Sequence, residues 1–435
     1  MLKVAVATLG CKVNQCESAG ISETLAVRGM TLVPFEEEAD CYIINTCTVT
    51  GRTDYQSRQL IRRAIKRNPA AVVLVTGCYA QRAPEEIARI PGVGIVVGNA
   101  EKSRLSDLIR ELSEGIAPEI HVGDIRSEKR FSSLGAASFP DHTRAFLKIQ
   151  DGCDAFCSYC IVPRARGASR SLRPVEVEEG IASLASEGYR EVVLTGIHLG
   201  AYGRDLIPTT DLEAMVRSVT EAHLVERLRL SSIEPREVTD ELISLIESSG
   251  VVCRHLHIPL QSGDDGILAA MNRNYDAAFF RDLIRKVHTA VPDIAVGIDV
   301  IAGFPGETET AFVNTIRLVE GLPVAYLHVF PYSRRPGTPA AAMPDQVPEI
   351  EKKRRAEQLR RIGTAKRQAF AERFIGTPLA VLIEGRKEKS TGFSIGFSDN
   401  YIPVACGTAC DANRIVRVMP GSFRNGRLIG EVIQE

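Results

Sequence analysis

Three cysteines stand at the spacing C-x3-C-x2-C in DGCDAFCSYC, residues 151–160, directly behind the apolar run AFLKIQ. Three more each close an apolar run far upstream: Cys11 after TLG, Cys47 after INT and Cys78 after VTG. Eleven cysteines in a chain without a secretion signal argue for metal or redox chemistry, because the cytosol keeps thiols reduced. A structural zinc site takes four ligands, usually as two paired knuckles, and no C-x2-C or H-x3-H partner lies near the C-x3-C-x2-C loop. Cys406 and Cys410 form a C-x3-C pair, but in the last region of the chain. An iron-sulfur cluster also takes four cysteines as a rule, so three ligands leave one iron open to something that is not protein. Cys16 in the first helix and Cys41 at the far end of its strand fall outside the pattern and are read as packing residues.

The first hundred residues alternate apolar runs (KVAVATLG, ADCYIINT, AVVLVTG, GIVVG) with helical patterns, which predicts a small open parallel sheet of βα units. The carboxyl ends of parallel strands share one edge, so Cys11, Cys47 and Cys78 are expected to converge there. A second series follows: AFLKIQ, EVVLTGI, RLRLSSI, VCRHLHIPL, IAVGIDVIAG and VAYLHVFPY. Six units in about 190 residues fall short of the about 250 of a closed eight-unit barrel, so an incomplete, open-sided (β/α)6 barrel is expected. Its first loop carries Cys153, Cys157 and Cys160 on the carboxyl-terminal face. Short strands separated by Gly, Asn and Asp turns from Gly376 onward predict a small antiparallel barrel. The fold class is therefore α/β with an added β-barrel, divided as 1–112, a linker over 113–140, a core over 141–374 and a final domain over 375–435.

Composition is that of a soluble globular chain of 435 residues, 44% apolar and 25% charged, with no apolar run near the about 18 residues of a membrane span. A cytoplasmic location is expected. Net charge is -1, so a nucleic-acid partner must be held by local patches. Residues 351–373 carry a local balance of +6, and RQLIRRAIKR, 58–67, is also basic. No G-x-S-x-G elbow, phosphate loop or dinucleotide fingerprint is present, which leaves hydrolase, NTPase and dinucleotide readings without support.

The C-x3-C-x2-C loop with Tyr159 before its third cysteine resembles the radical S-adenosylmethionine superfamily. With the second trio, the chain resembles from end to end the methylthiotransferase branch. TLGCKVNQ, INTCTVT, VTGCYAQ, IVPRARG, LTGIHLGAYG, PLQSG, GFPGETE and FPYSRRPGTPA carry the likeness. TLGCKVNQ and TGIHLGAYG are similar to the subgroup acting on threonylcarbamoyladenosine in tRNA. The resemblance implies two 4Fe-4S clusters, one on Cys153, Cys157 and Cys160 and one on Cys11, Cys47 and Cys78. It further implies S-adenosylmethionine as cofactor, a radical at carbon 2 of adenine, a 2-methylthio product, and a carboxyl-terminal RNA-binding barrel of TRAM type. A tRNA substrate and an external electron donor follow, and the chain is expected to act as a monomer. Isopentenyladenosine or a ribosomal protein as substrate, and a non-catalytic zinc-stabilised RNA-binding protein, are the alternatives.

Weaker signals mark cofactor contacts. Besides Tyr159, these are Gly196 at the end of the second strand, Glu234 after the third, Gln261 after the fourth and Gly303 in GFPGET. Arg164, Arg166 and Arg170 suit either phosphate contact or surface ion pairs. His255 and His257 are assigned to no metal, and at most one is expected to face the barrel interior. No catalytic residue beyond the cluster ligands is assigned.

Overall fold

The computed structural model describes all residues except 112–118, 136–138, 140–141, 390, 408 and 434–435. Six parallel strands make the first sheet: β1 (Lys3–Thr8), β2 (Thr31–Leu32), β3 (Cys41–Thr46), β4 (Val72–Gly77), β5 (Ile95–Val97) and β6 (Glu119–His121), in the order β2-β1-β3-β4-β5-β6. The central β3, CYIINT, is buried along its whole length, as its unbroken apolar run requires for a strand covered on both faces. Each aliphatic side chain so covered contributes about 1.5–3 kcal/mol. Register fixes the shared edge, since Thr8 pairs with Asn45 and Thr46 with Gly77. β6 falls within the segment expected to be a linker and extends the sheet beside β5.

The core domain begins with β7 (Arg144–Lys148), and a two-residue ladder of β8 (Gln150–Asp151) with β9 (Arg170–Ser171) frames the cysteine loop. Five parallel strands follow: β10 (Glu191–Thr195), β11 (Arg227–Leu230), β12 (His255–His257), β13 (Ala295–Ala302) and β14 (Tyr326–Pro331). The order β7-β10-β11 continues into β12-β13-β14 through bridges at Leu228–Val252 and Ser232–His257. No pairing among the described residues joins β14 back to β7, which leaves the open side expected of six units.

The helix Glu349–Glu372 leads from the core to a closed five-stranded barrel. Its strands are β15 (Leu379–Lys387), β16 (Ser394–Ser398), β17 (Pro403–Cys406), β18 (Ile415–Arg424) and β19 (Arg427–Val432). Arg227 and Arg229 of β11 donate to carbonyls of Ala380 and Asp399, so this barrel is seated at the amino-terminal end of the core strands. No helix among the described residues is long and apolar enough to cross a membrane.

Candidate active site between two cysteine trios

The amino-terminal trio is assembled by strand ends. Gly10, before Cys11, has φ +107°, and a Cβ there would lie 2.7 Å from the Cβ of Cys47. Gly77, before Cys78, has φ +97°, and a Cβ there would lie 2.6 Å from Asn45 Oδ1. Only glycine permits both the backbone conformation and the close approach. The three thiols act on one another: Cys78 raises the pKa of Cys11, and Cys78 and Cys11 both raise that of Cys47. Burial is the main cause, and it pushes Cys47 up to about 11.

Neutral amides flank these sulfurs. Asn14 Oδ1 lies 4.0 Å from Cys11 Sγ, while its Nδ2 donates to Leu9 O at 2.7 Å and Thr46 O at 3.1 Å. Asn99 Nδ2 lies 4.0 Å from Cys78 Sγ. Both amides are tied to the short helix Val162–Arg166 that follows the other trio. Asn99 donates to Ala165 O at 2.6 Å, and Arg166 donates to Asn14 Oδ1 at 2.6 Å. Arg166 is 1% exposed and also donates to Glu17 at 2.8 Å and Asp151 at 2.9 Å, with Lys102 and Lys148 on the same carboxylates. Arg166, Lys102 and Lys148 outweigh the burial that would raise Glu17, and hold it well below the usual carboxylate range. On the opposite flank, Arg335 donates to Thr48 at 2.7 Å and Asp54 at 2.6 Å, pinning the segment after β14 onto the Cys47 loop. The first sheet thus presents its cysteine edge to the barrel mouth.

The second trio comes from a single loop. Cys160 N donates to Cys157 O at 2.9 Å, and Cys153 N to Gly167 O at 3.0 Å. Two cationic groups address its sulfurs. Arg273 Nη1 donates to Cys157 Sγ at 3.1 Å, and His198 Nδ1 stands 3.5 Å from Cys153 Sγ. Burial would lower the pKa of His198, but Cys153 and Glu237 outweigh it and push it up to about 10. Glu237 lies 3.0 Å from the other ring nitrogen. Burial pushes Cys160 up to about 12.

Residues 3–98 match the uncharacterized protein family UPF0004, and residues 147–319 match the radical SAM superfamily. The chain is 42% identical over 421 residues to the threonylcarbamoyladenosine tRNA methylthiotransferase MtaB of Bacillus subtilis, covering 96% of this chain and 93% of that protein. The chain belongs to the radical S-adenosylmethionine methylthiotransferase family. It is 33% identical to the tRNA-2-methylthio-N(6)-dimethylallyladenosine synthase of Pelotomaculum thermopropionicum, covering 98% of this chain and 96% of that one. Among solved structures, the radical S-adenosylmethionine methyltransferase TsrM of Kitasatospora setae superposes with a TM-score of 0.60 at 14% identity, over 89% of this chain and 79% of that one, a likeness of fold.

In this methylthiotransferase the barrel trio fits a cluster with one open corner. The bare Cys160 thiol, pushed up by burial, favours the neutral form, and coordination to a metal would make it a thiolate. Arg273 and His198 then supply hydrogen bonds to sulfur of the kind that sets a cluster's potential. Neither was singled out from the sequence, because both arrive from loops remote from Cys153–Cys160. Beside the trio opens a cavity of about 480 Å³ lined by Cys157, His198, Glu234, Glu237 and Arg273.

The expected cofactor contacts divide. Glu234 reaches this cavity, where Arg273 pairs with it at 3.3 Å. Tyr159 is half-buried and packs against the apolar cluster that includes Met271, Ile301 and Phe304. Gln261, with φ +67°, donates its backbone N–H to Asp299 O at 2.8 Å in the loop after β12. Gly196 and Gly303 make their close approaches to the protein's own side chains, Gln150 and Lys352. Arg166 and Arg170 are buried in the ion network, while Arg164 is exposed. Cys16 is buried in the main core, and Cys41 in the first sheet.

The expectation that only one of His255 and His257 faces inward is corrected. Residues two apart on a strand share a face. His255 bonds Tyr326 at 2.8 Å and His257 bonds Asp299 at 2.9 Å, both across the same side of the sheet.

Proposed function

We propose that this enzyme converts threonylcarbamoyladenosine next to the tRNA anticodon to its 2-methylthio derivative, using two 4Fe-4S clusters and S-adenosylmethionine. The observation that carries the reading is the pair of cysteine trios brought to one barrel mouth. When bound, the clusters and cofactor supply a radical to remove hydrogen from carbon 2 and a sulfur to replace it. The chain's own work is to hold and insulate. Cys153, Cys157 and Cys160 would anchor one cluster, and Cys11, Cys47 and Cys78 the second. Asn14, Asn99 and Arg166 lock the two anchorages to each other, so the base is gripped between sites of fixed separation. Tyr159, Gly196, Glu234, Gln261 and Gly303 remain the candidate lining for S-adenosylmethionine.

The 42% likeness to a protein named for threonylcarbamoyladenosine, against 33% to one named for dimethylallyladenosine, favours the first substrate. RNA would approach along the helix Glu349–Glu372, where Lys353, Arg360, Arg361 and Arg367 are exposed, and along the terminal barrel. An external donor supplies electrons, and the chain acts as a monomer in the cytoplasm. Mass spectrometry of tRNA nucleosides from cells with and without the gene tests the reading: the methylthio form of threonylcarbamoyladenosine should vanish with the gene. An unchanged nucleoside profile would remove the functional claim.

A further inference from the structure

The helix Glu349–Glu372 connects the two ends of the core. Its first turns stand on the carboxyl-terminal face, where Arg355 donates to Glu307 O at 2.6 Å and the Lys352 side chain lies against Gly303. Its last turns reach the opposite end. There Phe370 joins the apolar cluster of Ala295, which opens β13, and Ala325, which precedes β14. β13 spans eight residues, so the two ends lie about 26 Å apart. The exposed Lys353, Arg360, Arg361 and Arg367 are spaced along the helix between them.

At the far end a cleft of about 310 Å³ opens along the seam between core, helix and terminal barrel. Its walls are aromatic: Tyr326 from β14, Phe370 from the helix, and Phe397, Tyr401 and Phe423 from the terminal barrel. Seams between domains are favoured places for ligand pockets. Phe397, Tyr401 and Phe423 are half-buried, so the barrel's own core does not consume their rings. Tyr401 holds φ +65°, a conformation unfavourable for a bulky residue that persists only where its surroundings impose it. Its ring stacks on Phe397, with centroids 5.0 Å apart and 22° between planes, and the Arg144 and Arg229 guanidiniums stand over it at 5.3 and 4.8 Å. This wall is preformed, and a ligand has little to order there on binding.

Two guanidiniums flank the cleft. Arg427 pairs with Glu388 at 3.4 Å, whereas Arg367 lies 5.6 Å from the Tyr326 ring centre with no carboxylate partner among the described residues. Asn400, the one amide in the lining, already donates to Asp293 O at 3.2 Å and accepts from Ser398 at 2.6 Å. Flat ring faces with a cation at the rim, and no unengaged amide to read an edge, suit a planar group carried on an anion. An unpaired nucleotide is such a ligand: its base stacks on aromatic rings whatever its identity, and its phosphate answers the arginine. An apolar peptide would use the rings and leave Arg367 and the basic helix without a role.

We propose that this cleft is a second RNA site, taking the base of one unpaired nucleotide of the substrate tRNA while the reacting base enters the barrel mouth at the other end of the helix. The inference rests on RNA being the substrate, and not on which modified adenosine it carries. A nucleotide anchored there sets the register of the strand along the helix, and so governs which base reaches the mouth without touching the reaction.

The test uses the reconstituted holoenzyme and fluorescein-labelled anticodon stem-loop RNAs carrying threonylcarbamoyladenosine, with each other unpaired position made abasic in turn. Binding is read by fluorescence anisotropy. In wild type one abasic position should weaken binding about fivefold or more, the scale of one base stacked on an aromatic ring. Phe423→Ala should weaken the intact RNA by a similar factor and show no further loss at that position, at unchanged iron content. Phe423→Tyr should behave as wild type. If no abasic position weakens wild-type binding, the site is overturned, however any variant folds. An equal Phe423→Ala loss on every RNA overturns it too, as does a wild-type dimer that Phe423→Ala dissociates, which marks a surface for a second copy. Methylthio product from wild type separates the levels. Product without the coupling between Phe423 and one base removes the cleft alone, the coupling without product removes the substrate reading alone, and no RNA binding removes both.

Discussion

The two trios reach a similar sulfur count by opposite routes. Cys153, Cys157 and Cys160 lie within eight residues of one loop, and their geometry is local. Cys11, Cys47 and Cys78 come from three strands and meet only when the parallel sheet is formed. Their electrical surroundings also differ. Arg273 and His198 address the loop trio's sulfurs directly. The strand trio sees amides, with Arg166 acting one residue further out through Asn14. A cation on sulfur stabilises the more negative, reduced state of a cluster, so the loop trio is built to accept an electron. The strand trio is flanked by neutral amides instead.

That contrast is broken most completely by removing ligands. Cys157→Ala should abolish both the methylthio product and reductive cleavage of S-adenosylmethionine. Cys47→Ala should abolish the product alone, as read by chromatography of the cleaved nucleoside. Next in size is Arg166→Met, which leaves Glu17 and Asp151 buried with Lys148 as the one cation they share. Breaking such a network costs about 3–5 kcal/mol, to be read as a lower denaturant midpoint. Gly77→Ala should cost about 1–3 kcal/mol through its φ and its clash with Asn45, and iron should be lost from the strand trio only. Arg273→Met should make one of the two clusters harder to reduce and leave the other unmoved in a spectroelectrochemical titration. The smallest effect concerns acid. Glu17 is held below its unfolded value, so its contribution is complete above about pH 4.3 and lost as pH falls further. Glu17→Gln should therefore show a flatter acid limb of stability than wild type.

How much was legible follows from range. The loop trio, the strand-closing cysteines, the six core strands and the five terminal strands are written in contiguous residues, and periodicity suffices for them. The supporting shell is written across distance: Arg273 lies 116 residues from Cys157, and Asn14 meets Arg166 over 152. Asn99 did carry a signal, since it follows the end of β5 as the cysteines follow β1, β3 and β4, and so occupies the same sheet edge. β6 escaped because EIH is too short to show alternation. The histidine pair on β12 was misjudged by parity, an error the period of two already excludes.

Iron and sulfide content after anaerobic reconstitution tests the paired-cluster arrangement most directly, measured on wild type, Cys47→Ala and Cys157→Ala. Two clusters of four irons require about eight irons in wild type and about four in each variant. About four in wild type with none lost in Cys47→Ala would contradict the second cluster. A colourless, zinc-bearing protein, with His198 completing a Cys3His set at the loop, would contradict both.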